Sequence, residues 1–249
     1  MDLIRLAVTG AAGAWLSACS QVDRSVADRF TATGEILALS GGEAGASNAC
    51  FTCHGMDGGG NGSGAPRLAG LDRGYMAAQL EAYASGRRQH PEMAWIASKL
   101  TADQRETVSA YYAGKVFAHS SMSSNQPAGG AAILYHRGAP SRGIASCASC
   151  HGARGEGFGP ANPPLGAQPA AYLAEQFDLW RAGKRRNDPQ NIMLRISQAL
   201  SPAESAALAA YASRLPGGPP HRGFPATSPA AHRGDPRSDA SAQPPHAAE

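Results

Sequence analysis

Two short motifs of cysteine and histidine are the part of this chain best suited to chemistry. Each has the form C-x-x-C-H, at residues 50–54 and again at 147–151. Two thiols at this spacing can each bond one vinyl group of a haem as a thioether, and the histidine that follows can ligate the iron. The motifs therefore predict two covalently attached c-type haems. The attachment thiols are those of Cys50, Cys53, Cys147 and Cys150, and the proximal iron ligands are His54 and His151.

Two other kinds of site also use a C-x-x-C pair. A redox disulfide of the thioredoxin kind requires a β-α-β context, and no such context is visible in the sequence. A zinc site uses four ligands, which come from paired C-x-x-C units often followed by closely spaced histidines. The histidine adjoining each cysteine pair, together with the occurrence of the whole motif twice, favours haem over both alternatives.

The composition suits small domains built around a large apolar cofactor. Only 6% of the 249 residues are aromatic, whereas 30 are glycine and 18 are proline. This is little material for one large core, but two small domains packed round haems need far fewer large side chains. The net charge is only +3 and no basic run is present, so we expect no binding to nucleic acid.

The N-terminus has the pattern of an exported bacterial lipoprotein. The apolar stretch at 6–15 is too short to cross a membrane and suits a secretory signal. It is followed by Leu-Ser-Ala-Cys at 16–19, which resembles a lipobox, and Cys19 is the one cysteine outside the haem motifs. We predict lipidation of Cys19 at the periplasmic face of a bacterial membrane. The alternative is an ordinary cleaved signal that leaves Cys19 as a free thiol and the protein soluble in the periplasm.

The two motifs belong to a longer internal repeat, which indicates a duplicated domain. At a spacing of 97 residues the copies share many identities, and a three-residue insertion near 187–190 then raises the spacing to 100. The shared residues include Pro66 and Pro163, Tyr75 and Tyr172, Gln79 and Gln176, Arg88 and Arg185, and Met93 and Met193. The predicted organisation is a signal peptide (1–18), a tether (19–28), a first domain (29–118), a linker (119–129), a second domain (130–215) and a disordered proline-rich tail (216–249).

The sequence of each copy predicts helices and no strands. Three apolar residues at i, i+4 and i+7 indicate an amphipathic helix that packs on the core, here the edge of a haem. These residues are Met76, Leu80 and Tyr83 in the first copy and Leu173, Phe177 and Trp180 in the second. An earlier helix is expected at 30–39 and at 131–137, and capping boxes at 101–104 and 201–204 open the last helix. The predicted fold class is all-α.

Each copy also contains a methionine suited to the second axial position of a haem iron. Met193 has no rival methionine in the second copy, and Met93 stands at the matching position in the first. Met56 is too near the proximal histidine to reach the opposite face of the haem, and Met76 aligns with a leucine of the second copy. Two alternatives stay open: the methionines fill gaps in the core, or His90 is the ligand in the first copy.

The pattern resembles tandem dihaem class I cytochromes c, of the kind called cytochrome c4. The resemblance covers about residues 30–215 and is carried by C-x-x-C-H-G, the later Pro-x-Leu, Tyr-x-x-x-Gln, Gly-x-Arg and the methionine after it. It implies two tandem class I cytochrome c domains, each wrapped around one covalently attached haem.

The resemblance also bears on two further pairs of residues. It implies that the carbonyl groups of Pro66 and Pro163 accept hydrogen bonds from the proximal imidazoles, which would fix them and tune the iron. Arg88 and Arg185 are candidates to pair with haem propionates. The alternatives are prolines that only shape a loop and arginines that are only solvated.

The predicted function is electron transfer without catalytic residues. Two His/Met-ligated haems would relay single electrons in a bacterial respiratory or periplasmic chain. The partners would be a quinol- or substrate-oxidising donor and a terminal oxidase or reductase. One alternative is a dihaem enzyme, a peroxidase or a thiosulfate-oxidising cytochrome, in which one haem ligand is labile. Another is a haem lipoprotein that serves mainly in the assembly of an oxidase complex.

The lipobox predicts how the protein fractionates. The wild type should sediment with membranes, and Cys19→Ala should appear in the soluble fraction or keep an uncleaved signal, since no thiol remains to be lipidated. Fractionation and mass spectrometry of the N-terminal peptide measure both properties. A mature N-terminus other than Cys19, without lipid, would contradict the prediction.

Overall fold

The computed structural model describes residues 33–117 and 129–217. The predicted signal peptide, the tether with Cys19, nearly all of the linker and the tail beyond residue 217 lie outside the described residues. No helix within the described ranges is long and apolar enough to cross a membrane.

The first copy is built from helices joined by glycine-rich loops. Its helices are α1 (Gly34–Ser40), α2 (Cys50–His54), α3 (Arg73–Ala84), α4 (Pro91–Ser98) and α5 (Ala102–Ala113). Two short 3₁₀ turns lie between α1 and α2. Helix α3 packs against α4 and α5, and α1 packs across α5. The hydroxyl of Thr33 accepts from the backbone N–H of Ile36, so the helix expected at 30–39 begins only at Gly34.

The second copy repeats this arrangement. Its helices are α6 (Gly130–Arg137), α7 (Ala148–His151), α8 (Ala170–Arg181), α9 (Ile192–Ala199) and α10 (Pro202–Ser213). Helix α8 packs against α9 and α10, and α6 packs on α10, as in the first copy. The described residues form isolated β-bridges but no strand. The all-α fold class predicted from the sequence is confirmed.

Each copy has a hydrophobic core of its own, formed mainly by its first helix and its two longest helices. Most of the apolar stripes predicted on α3 and α8 face these cores, since Met76 and Leu173 are buried in them and Leu80 and Phe177 pack against them. The last residue of each stripe, Tyr83 or Trp180, is also buried, but it lies against a buried arginine. The i, i+4, i+7 pattern therefore located the packed face of both helices correctly.

The last helix of each copy begins with the capping box that the sequence predicts. In α5 the Thr101 hydroxyl accepts from the Gln104 N–H at 3.2 Å, and the Thr101 N–H donates to the Gln104 side chain at 2.9 Å. Ser201 and Glu204 make the same pair of bonds at the start of α10, at 3.2 and 2.9 Å. Two backbone donors that a helix start leaves unpaired are thus satisfied in each copy.

The two copies contact each other across a pseudo-symmetric interface. Its centre is an antiparallel bridge between Arg88 and Arg185, which occupy the same position in the repeat. Backbone hydrogen bonds flank this bridge, from Gln89 N to Lys184 O at 2.8 Å and from Arg186 N to Arg87 O at 2.7 Å. The turns that carry Arg88 and Arg185 are equivalent in the repeat, and their contact with each other joins the two domains.

The capping box predicts a stability change that a matched pair of variants can measure. Thr101→Ala removes the hydroxyl acceptor at the start of α5 and should lower the free energy of unfolding by about 1 kcal/mol. Thr101→Ser keeps the acceptor and should stay close to the wild type. Denaturant unfolding followed by circular dichroism gives both values, and equal losses in the two variants would contradict a capping role.

Candidate haem sites

Each C-x-x-C-H motif forms a short helix that ends at a glycine. Gly55 and Gly152 follow the histidines with φ of 79° and 83°, a left-handed region that glycine adopts without strain. The chain can therefore turn away directly after the histidine. In both copies the first cysteine is partly buried and the second is exposed.

Both histidines are held in the tautomer that binds a metal. Nδ1 of His54 lies 2.8 Å from the Pro66 carbonyl oxygen, and Nδ1 of His151 lies 2.8 Å from that of Pro163. Because a carbonyl oxygen only accepts, Nδ1 carries the proton and Nε2 keeps its lone pair. Burial lowers the pKa of both imidazoles, which favours the neutral form that ligates iron. The contacts that the resemblance implied are present in both copies.

The surroundings of the cysteines do not favour a zinc site. Burial raises the pKa of the Cys50 and Cys147 thiols to about 11. A zinc site needs thiolates and further ligands. Within 33–117 and 129–217, no group of three or more histidine, cysteine or acidic side chains is placed to hold a metal ion.

The two candidate axial methionines occupy equivalent places. Met93 lies in the first turn of α4 and Met193 in that of α9, and both are partly buried. The Met93 N–H donates to Nδ1 of His90 at 3.3 Å, whereas the Met193 N–H donates to Oδ2 of Asp188 at 2.8 Å. His90 and Asp188 therefore cap corresponding helices. Sequence reasoning considered His90 only as a rival ligand and missed this role.

Arg88 and Arg185 are buried between the copies, with 3% and 4% of their surface exposed, so neither is a solvated arginine. Arg88 donates to Gln79 at 2.9 Å, to Gln176 at 2.7 Å and to the Tyr172 hydroxyl at 3.0 Å. Arg185 donates to the same two glutamines, at 3.1 Å and 2.9 Å. Each glutamine oxygen thus bridges both guanidinium groups. Sequence reasoning missed these glutamines as interface residues, although their identity in both copies was a usable signal.

The interface supplies aromatic and phenolic groups to the two cations. Arg88 stacks over the Tyr83 ring at 4.6 Å, and Arg185 over the Trp180 ring at 4.0 Å. Burial alone would raise the pKa of Tyr172, but the charges of Arg88 and Arg185 outweigh it and lower that pKa. The two arginines therefore make the position of the Tyr172 hydroxyl electrostatically positive.

One N–H of the two buried arginines has no hydrogen-bond partner at this interface. Nε of Arg88 is buried without a hydrogen-bond partner, while Nε of Arg185 donates to Asn187 at 3.2 Å. Among the described residues neither arginine pairs with a carboxylate. Since a buried cation with an unpaired N–H is costly, an anionic group such as a haem propionate suits this position.

Comparisons with known proteins agree with the duplicated architecture. The family model for cytochrome c matches residues 40–113 and 142–215, one match in each copy. Cytochrome c4 of Pseudomonas aeruginosa is 33% identical over 185 residues, which are 72% of this chain and 92% of that protein. The chain belongs to the dihaem cytochromes c of the c4 type. This cytochrome therefore holds two covalent c-type haems and takes part in electron transfer.

Two further matches concern proteins named for thiosulfate. The thiosulfate dehydrogenase electron acceptor of Stutzerimonas stutzeri (strain A1501) is 40% identical over 184 residues, 72% of this cytochrome and 85% of that protein. The solved structure of thiosulfate dehydrogenase TsdBA from Marichromatium purpuratum matches with a TM-score of 0.64 and 37% identity. That match covers 74% of this chain but only 40% of the other.

Proposed function

We propose that this cytochrome accepts single electrons from a thiosulfate-oxidising enzyme outside the cytoplasm and passes them to a further redox protein. The observation that carries this proposal is the 40% identity to a thiosulfate dehydrogenase electron acceptor, over 85% of that protein. The donor is then a substrate-oxidising enzyme rather than a quinol-oxidising one. The onward acceptor is a terminal oxidase or reductase, reached through small transient contacts.

We further propose that both irons are ligated by histidine and methionine, His54 with Met93 and His151 with Met193. Both histidines offer an unprotonated Nε2, and both methionines lie at equivalent, partly buried positions on matching helices. A bound c-type haem supplies one-electron redox chemistry, and a methionine ligand raises its potential. The equivalence of the two methionines favours ligation over a role as mere core filler.

The buried arginines are proposed to hold the acidic edges of the haems. The unpaired Nε of Arg88 is a donor for a propionate of the first haem, and Arg185 is the corresponding cation beside the second. The Pro66 and Pro163 carbonyls, each 2.8 Å from a proximal Nδ1, would orient the imidazoles. The cofactor would thereby complete the hydrogen bonding of the domain interface.

Export and lipid anchoring at Cys19 are proposed for the remainder of the chain. Attachment of c-type haem and lipidation of a lipobox cysteine both take place outside the cytoplasm, and Cys19 is the cysteine that the haem motifs leave over. An acyl chain would keep the protein at the membrane surface. The proposed domain boundaries, 29–118 and 130–215, enclose both segments that match the cytochrome c family.

A second candidate is that the cytochrome itself oxidises thiosulfate. The match to the thiosulfate dehydrogenase TsdBA favours this second function. It requires that one iron has a displaceable ligand, so Met93 or Met193 would have to dissociate readily.

An assay with purified components separates carrier from enzyme. Thiosulfate should reduce the cytochrome only when a thiosulfate dehydrogenase is added, because a carrier whose irons both hold two axial ligands offers thiosulfate no open position. The rise of the reduced haem band measures the reaction, and dehydrogenase without thiosulfate is the control. Catalytic reduction by thiosulfate alone would replace the carrier proposal with the enzyme.

Removal of each methionine tests the ligand set. Met193→Ala should open one haem to carbon monoxide and lower its reduction potential. The decrease should be a fraction of the roughly 0.8 V over which axial ligands set haem potentials. Met93→Ala should do the same to the other haem. Optical redox titration with and without carbon monoxide measures both effects.

Met76→Leu is the matched control for these variants, because Met76 is a buried core residue and its counterpart is Leu173. It should leave both haem spectra unchanged. If His90→Ala alters the first haem while Met93→Ala does not, the first haem has two histidine ligands and the assignment of Met93 is wrong.

A further inference from the structure

A single peptide group connects the proximal histidine of the first domain to the second domain. Its carbonyl, that of Pro66, accepts from Nδ1 of His54 at 2.8 Å. Its N–H, that of Arg67, donates to Oε1 of Gln168 in the second domain at 3.0 Å. Because the carbonyl and N–H of one peptide are conjugated, an acceptor on the N–H makes the carbonyl a stronger acceptor.

Gln168 is fixed in the orientation that this contact requires. Its Nε2 donates to the Arg67 carbonyl at 3.0 Å, so its oxygen must face the Arg67 N–H. Gln168 is 4% exposed and Arg67 3% exposed, which keeps water from replacing either bond. The Arg67 guanidinium also donates across the interface to the Gly166 carbonyl at 3.2 Å. The second domain therefore holds Arg67 by its N–H, its carbonyl and its guanidinium.

The second domain has no equivalent arrangement for its own haem. Pro163 accepts from His151 at 2.8 Å, but the next residue is Pro164, where the first copy has Arg67. Proline has no backbone N–H. The peptide that binds His151 therefore cannot donate to any acceptor.

We propose that Gln168 is a positioning residue through which the second domain tunes the haem of the first. The inference rests on His54 being an iron ligand, as proposed above. The polarised Pro66 carbonyl draws the Nδ1 proton of His54 and makes the imidazole more basic. A more basic imidazole stabilises ferric iron and lowers the potential of the first haem, while the second haem receives no such contribution.

The first experiment uses Gln168→Ala in the full-length protein with both haems. The reduction potential of the first haem should rise. Its redox wave is identified as the one that Met193→Ala leaves in place. We expect a roughly threefold change in its reduction equilibrium, or about 28 mV at about 59 mV per tenfold for a one-electron couple. In the proton NMR spectrum of the reduced protein, the Nδ1 proton of His54 should shift and that of His151 should not.

A matched pair at Arg67 isolates the peptide N–H. Arg67→Leu and Arg67→Pro both remove the buried guanidinium, but only Arg67→Pro also removes the donor and reproduces the Pro-Pro-Leu sequence of the second copy. The first haem should therefore have a higher potential in Arg67→Pro than in Arg67→Leu.

Three results would contradict the tuning of the first haem through Gln168. The first is equal first-haem potentials in the two Arg67 variants. The second is a Gln168→Ala protein with a native spectrum and both haem potentials unchanged. The third is a wild-type spectrum without histidine ligation at the first haem, which would also contradict the ligation proposed above.

Discussion

The burial of two arginine side chains between the repeats is the constraint on which the arrangement of the two domains depends. Removing a guanidinium from water costs several kcal/mol unless other groups replace its hydration. Arg88 and Arg185 meet this cost with shared glutamine oxygens and an aromatic face each. None of these groups carries a full negative charge, so the interface as a whole favours an anion. If a haem propionate is this anion, as proposed above, haem binding and domain docking depend on the same two buried charges.

Duplication within one chain explains how this interface arose from so few residue types. A contact between identical surfaces uses the same residues on both sides, as in a homodimer with twofold symmetry. Here Gln79 meets Arg185 of the other copy and Gln176 meets Arg88, so the two halves exchange equivalent hydrogen bonds. The exchange is imperfect, because Arg185 has Asn187 as an extra partner and Arg88 does not. The two haem sites therefore share a plan but differ in surroundings.

The sequence predicted those features that depend on local spacing. The haem motifs, the apolar stripes of α3 and α8 and both capping boxes follow from residues within two turns of one another, where helix geometry alone fixes the neighbours. Contacts between distant segments could not be predicted in this way. The bond between Arg67 and Gln168 joins residues about a hundred positions apart. The cap that His90 provides is local, but histidine is not among the residues that favour the N-cap position, so its residue type gave no signal.

The insertion near 187–190 lengthens the turn before the helix that carries Met193, yet this helix keeps a side-chain cap at its start. The longer turn places Gln190 and Asn191 at positive φ, and Asp188 then binds the start of α9 in the way that His90 binds the start of α4. Both helices thus begin at a side-chain cap, although the turns before them differ in length. The longer turn also reaches the interior, because Asn187 bonds both Arg185 and Gln79 of the other copy. An insertion in one half of a duplicated gene can therefore add a contact that the other half lacks, and the two halves need not stay equivalent.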